Sequence, residues 1–198
     1  MRGTGSNQVR AHDAFVREGF AHSTAKPVLI DRPAYRLSYV LLFAPMGAVV
    51  ACGVLHTALE SAVAALSTKV STFSGKILRE QGPTQELIAR STAALRAART
   101  GFLSAMEEVW EVARTGAEVP VKLKAEVYAS SFYALDVVRD TMSRLYAEGT
   151  RDAFVQGNPV ERALRNIHAI VFGLQSVRPF YDAAGRVFLG GEPQLSVF

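Results

Sequence analysis

The sequence predicts an all-α protein, an antiparallel four-helix bundle preceded by a short non-helical segment, and three observations carry that prediction. Beyond Pro33 the apolar residues recur at helical spacing through long segments. The connections between those segments are short and hold Gly and Pro. Gly157-Asn158-Pro159-Val160-Glu161 is a strong helix-start signal. With 198 residues, 49% of them hydrophobic, the chain has enough apolar material for one substantial core.

The first helix is expected over residues 34–67. Within it, residues 37–59 are 23 consecutive positions without a formal charge, a length that meets the criterion for a bilayer span. Ser38, Tyr39, Pro45, Gly47, Gly53 and His56 dilute its hydrophobicity, and a helix apolar on all sides is equally suited to the centre of an oligomer. The later helices are amphipathic and need a partner to cover them, so burial in protein is expected and membrane contact is not.

Residues 72–83, with Gly75, Gly82 and Pro83, read as a connection. Thr84 is the expected N-cap of a second helix reaching residue 113. Along it Ile88, Leu95, Phe102 and Val109 recur every seven residues, and Leu87, Ala98, Met106 and Ala113 widen the stripe. Arg90, Arg99, Glu107 and Glu111 fall off that stripe and read as a solvated face. Gly116 and Pro120 bracket the next connection, and a third helix is expected over residues 121–148. Its Tyr128, Phe132, Leu135, Met142 and Leu145 are spaced by three, four or seven. Asp140 and Arg144 are placed for an i,i+4 ion pair worth about 0.3 kcal/mol.

Asn158 can cap the fourth helix, and Pro159 stands at N1, where its missing N–H costs nothing. Glu161 at N3 is positioned to reach back to the amide of the cap. This helix runs past His168, breaks near Pro179 and ends at Gly190-Gly191. Residues 1–33 differ in kind: they are rich in turn formers, and the alternation at 9–12 and 14–16 reads as a strand or two. Two units are therefore expected, residues 1–33 and a helical domain over residues 34–198.

The net charge of +4 is concentrated at the start. Residues 1–36 carry six Lys/Arg against three Asp/Glu, which accounts for +3 of it. The remainder is nearly neutral and has no basic run with interleaved aromatics, so nucleic acid is not an expected partner. The single cysteine, Cys52, lies in an apolar run and suits a reducing compartment. No apolar signal core opens the chain, and a cytoplasmic location is expected.

The four histidines, His12, His22, His56 and His168, include no i,i+4 pair, and one cysteine builds no zinc site. No metal is expected. Gly3-Thr4-Gly5 lacks the third glycine of a dinucleotide fingerprint. His168 is the candidate for catalysis, one turn after Arg165 on the same side of the helix. An imidazole can shuttle a proton or hydrogen-bond a substrate or flavin atom; the other reading is a core histidine bonded to a backbone carbonyl.

Residues 156–169 carry Gly157, Asn158, Pro159, Arg162, Arg165, Asn166, His168 and Ala169 in the order of a Gly-x-Pro-Leu-x-Arg-x-x-Arg-Asp-x-His-Ala run, and Arg178-Pro179-Phe180-Tyr181 follows. This resembles the last helices of the acyl-CoA dehydrogenase C-terminal domain, in the branch of flavin-dependent monooxygenases related to hydroxyphenylacetate hydroxylase. The resemblance extends over residues 33–193 and is most specific at 157–169. Met1-Arg2-Gly3-Thr4-Gly5-Ser6-Asn7 is similar to the end of the family's central β-domain, so residues 1–33 are expected to be a remnant of that domain.

The resemblance implies a flavin-dependent oxidoreductase that uses FAD or FMN and is represented here by its C-terminal portion. It implies cofactor contacts at Arg162, Arg165 and Asn166, a catalytic His168, assembly as a homodimer or homotetramer, and a flavin reductase as a further partner. For the two arginines, a surface or interhelix salt bridge is the other reading. Three positions depart from the family: Asn166 replaces its Asp, Gly173 stands where the monooxygenases have a second histidine, and Val70 stands where the dehydrogenases carry an Arg. Ala147-Glu148-Gly149-Thr150 imitates the dehydrogenases' Glu-Gly-Thr but precedes the Arg162 helix, so Glu148 reads as a helix end. The alternative function is a catalytically silent helical oligomerisation domain.

Overall fold

The computed structural model describes residues 8–21, 30–149, 151–174 and 179–194. Six α-helices form among them: α1 (Pro33–Arg36), α2 (Tyr39–Thr68), α3 (Gly82–Thr115), α4 (Val121–Glu148), α5 (Pro159–Leu174) and α6 (Pro179–Phe188). Short 3-10 turns at Leu78–Glu80 and Arg151–Phe154 join them. The long helices pack as the expected bundle. α4 lies against α2, α3, α5 and α6, and α2 also packs on α3 and α5.

The expected first helix is two. Leu37 and Ser38 are extended, and the Ser38 hydroxyl accepts a 3.1 Å hydrogen bond from the Leu41 amide. A side-chain cap at Ser38 starts a new helix there and ends the α1 turn. α1 is held separately: Arg36 donates to Asp31 at 2.6 and 2.9 Å and to the Ala113 carbonyl at 2.8 Å. That carbonyl belongs to the last turn of α3, which Gly116 closes in the left-handed region at φ 82°.

α3 begins at Gly82, two residues before the expected cap at Thr84, and Gln81 holds the cap position without a side-chain bond. Pro83 explains the earlier start, since its fixed φ suits the first helical turn. The expected Asp140–Arg144 pair does not form. Asp140 instead accepts from Arg139 at 2.9 Å, and Arg144 lies 3.9 Å from Glu148, the last residue of α4.

The predicted stripes make the core. Leu87, Ala98, Phe102, Val109 and Ala113 of α3 are buried, as are Tyr128, Phe132, Leu135, Met142 and Leu145 of α4. Each fully buried Phe, Met or Leu contributes about 2–3 kcal/mol. α2 supplies a narrower line of Leu41, Ala48, Cys52, Leu55, Leu59 and Leu66, whose small residues let neighbouring helices come close. Its other side is open: Met46, Val49 and Val50 are more than half exposed. By length and composition α2 could cross a membrane, and one of its faces is packed inside the bundle.

The expected strand at 9–12 and 14–16 is absent. Residues 8–21 form neither helix nor strand, and Val9 and Phe15 are 89% exposed. A strand needs a neighbour for its N–H and C=O groups, and among the described residues the sole β-pairing is the Val70–Ile77 bridge. Met1-Arg2-Gly3-Thr4-Gly5-Ser6-Asn7, which carry part of the resemblance, lie outside the described residues.

Candidate functional site on the outward face of α5

The start of α5 follows its sequence signal. Asn158 Oδ1 accepts a 2.9 Å hydrogen bond from the Val160 amide, which satisfies one of the open donors of the first turn. Glu161 turns toward its own helix. Its carboxylate accepts from Arg165 Nε at 2.6 Å and from Nη2 at 3.1 Å. That guanidinium, aided by the backbone amide of Gly157, holds the Glu161 carboxyl below the usual range. The expected reach to the Asn158 amide is thus replaced by one to Gly157, because the paired Arg165 fixes the carboxylate.

Val160, Ala163 and Ile167 are buried and fix the inward side of α5. Helical geometry then sends the intervening residues the other way. Arg162, Arg165, Asn166 and His168 are all exposed, and Phe172 on the same arc is 73% exposed. All four predicted site residues therefore share one solvent-facing surface. The reading of His168 as a core histidine is excluded by its exposure. Arg165 takes the salt-bridge role within its own helix, whereas Arg162 keeps its donors clear of Glu161.

Two concavities lie elsewhere and contain none of these residues. An apolar cavity of about 260 Å³ is lined by Tyr39, Phe43, Tyr128, Phe132 and Phe180, together with Val40 and Ala44. Its rings are in contact, with Tyr128 and Phe180 centroids 4.9 Å apart. Burial raises the Tyr128 phenol above its ordinary value. Sequence reasoning missed this cavity, although the i,i+4 aromatic pairs Tyr39/Phe43 and Tyr128/Phe132 were a signal for it.

The second concavity is a groove of about 620 Å³ between α2 and α3, walled by Val49, Gly53 and His56 on one side and Arg96, Arg99 and Leu103 on the other. Cys52 lies at its floor. Burial pushes the Cys52 thiol up to about 11, with the Arg99 guanidinium opposing that rise.

Residues 46–172 match the family described as acyl-CoA dehydrogenase, C-terminal domain. The chain belongs to that family. This acyl-CoA dehydrogenase C-terminal domain is 24% identical to an indole-3-acetate monooxygenase of Pseudomonas putida over 193 residues, 98% of the chain and 50% of the relative. It spans about half the length of the curated relatives it matches.

Among solved structures, the domain overlays a 3-HSA hydroxylase from Rhodococcus sp. RHA1 with a TM-score of 0.76 at 18% identity, covering 84% of this chain and 44% of that one. It overlays XiaF from Streptomyces sp., solved with FADH2 and glycerol, with a TM-score of 0.74 at 18% identity, covering 84% and 43%. These likenesses establish the fold of the bundle.

Proposed function

We propose that this chain supplies the C-terminal helical portion of a flavin-dependent oxidoreductase, with the outward face of α5 as one side of the flavin and substrate pocket. The observation that carries this reading is the convergence of Arg162, Arg165, Asn166 and His168 on one exposed arc in a chain of this family. The relatives' monooxygenase activity and the FADH2 bound to XiaF support it.

The donor set suits a flavin. Arg162 offers a planar guanidinium to phosphate oxygens, while Arg165 spends two of its donors on Glu161. Asn166 can both donate to and accept from a ring edge. Flavin, FAD or FMN, supplies the electron transfer when bound. His168 holds or releases a proton at the substrate, and Phe172 shields that arc from water. A separate reductase is the source of reduced flavin, and the setting is the cytoplasm, in keeping with a lone reduced cysteine.

The exposed apolar side of α2 favours a second role, self-association as a dimer or tetramer, with α2 at the interface and no bilayer involved. This role alone would remain if the chain were a catalytically silent assembly domain. Titrating the full chain with FAD and with FMN, following flavin fluorescence, separates the readings. Binding that weakens in Arg162→Ala and survives in His168→Ala is expected. Flavin emission unchanged at every protein concentration rejects the flavin role and leaves assembly.

A further inference from the structure

The groove between α2 and α3 is polar at one end and apolar at the other. Consecutive antiparallel helices set residues equally far from their connection across from each other, so His56 of α2 stands by Thr92 and Arg96 of α3, and Val49 stands by Phe102 and Leu103. Cys52 and Arg99 lie between the two ends. From Thr92 to Leu103 the groove runs about 16 Å at 1.5 Å per residue, and its volume of about 620 Å³ is that of a small-molecule site.

The charge on its walls is of one sign. Among the described residues no Asp or Glu lines the groove; Glu60, one turn beyond His56, stands 3.5 Å from that imidazole and outside the lining. Arg90 and Arg114 on α3 are tied to Glu86 and Glu111, whereas among the described residues Arg96 and Arg99 have no ion pair. An arginine stem can lie along apolar surface while its head stays free. The Arg99 charge is felt at the floor, where it opposes the rise that burial imposes on the Cys52 thiol.

Gly53 keeps the groove open. It stands in the interior of α2, where glycine is less stable than alanine, and a Cβ built on it would meet nothing within 4 Å. No close helix contact therefore accounts for the glycine, and the space beside it belongs to the groove.

We propose that this groove binds a free medium-chain carboxylate, with its head held by Arg96 and Arg99 beside His56 and its alkyl chain lying over Cys52 toward Val49 and Leu103. Two guanidiniums suit one carboxylate, which accepts paired N–H bonds. The exposed apolar wall is aliphatic, and the length matches an extended chain and not a compact ring. The site shares no residue with the outward face of α5 and stands apart from the flavin reading; no bond is made or broken in it.

The test is calorimetric titration of the full chain with decanoate, decanol and decyltrimethylammonium, three ligands with one tail and different heads. Decanoate is expected to bind one per chain, decanol at least about tenfold more weakly, since a hydrogen bond to a charged group is worth about that factor or more, and the cation not at all. Arg96→Gln/Arg99→Gln should weaken decanoate at least about tenfold and leave decanol unchanged. Gly53→Leu should raise the melting temperature and yet weaken both ligands, a pairing that loss of structure cannot produce. Equal binding of all three ligands would show adsorption to apolar surface and overturn the proposal. So would an absence of decanoate binding at millimolar concentration, or decanoate binding that is unchanged in both variants, which would put the ligand elsewhere.

Discussion

Lys69 Nζ stands 2.6 Å from Asp152 Oδ2, a contact across 83 positions of sequence that fastens the end of α2 to the turn before α5. The same junction holds Arg151 over the Phe73 ring at 5.7 Å. Both members of the ion pair are partly exposed, so solvent screening limits its strength. Lys69→Ala should lower the unfolding free energy by about 0.5–1 kcal/mol. Urea titration checks this, and a Lys69→Ala/Asp152→Ala double variant should lose no more than the single one.

Ser131 lies wholly inside the bundle, and its hydroxyl has no partner among the described residues. An unmatched buried hydroxyl costs about 1–3 kcal/mol in proteins. Ser131→Ala should therefore raise the urea midpoint, the reverse of the usual result for a core substitution. A drop in the midpoint would show that the hydroxyl is satisfied.

Glu161 gives the start of α5 a pH dependence. Its carboxyl is held below the ordinary value, first by the hydrogen bond from Arg165 and then by its charge, with the Gly157 amide adding to both. A depressed carboxyl stabilises the fold fully above its unfolded pKa and loses that contribution as pH falls through the folded one. Between neutral and strongly acidic pH, the melting temperature of the native chain should fall further than that of Glu161→Gln. Equal falls would assign the acid loss to other carboxylates.

Cys52 should be nearly inert. With its thiol pushed up to about 11, about one part in ten thousand is thiolate at neutral pH. Ellman's reagent should label the native chain slowly and label it stoichiometrically once denaturant opens the bundle. Rapid native labelling would mean that the groove floor is open to solvent.

Much of the fold was legible because burial writes itself into helical periodicity. The seven-residue recurrence through Phe102 and Val109 located the inner side of α3, and Asn158 with Pro159 located the start of α5. The break at Ser38 was not legible. An apolar run looks continuous until a hydroxyl is found accepting from the amide three residues on. The strand at 14–16 failed for the opposite reason, since alternation is a local pattern while pairing depends on a neighbour elsewhere.

At the candidate site, the motif residues were legible singly, and the structure added that Arg162, Arg165, Asn166 and His168 share an outward arc. The i,i+4 aromatic pairs mark two sides of the aromatic cavity, but the meeting of α2, α4 and α6 that closes it is encoded by no spacing within one segment. Phe180 reaches it only because α6 returns to pack on α4.

The contact of α4 with four other helices sets a hierarchy of release. Deuterium should enter the amides of residues 125–145 only when the whole molecule opens, because any smaller excursion leaves two or more neighbours in place. α6, whose main support is α4 alone, can lift away without the rest. Its amides should exchange orders of magnitude sooner, so the two helices report the cheapest and the most costly openings of the chain.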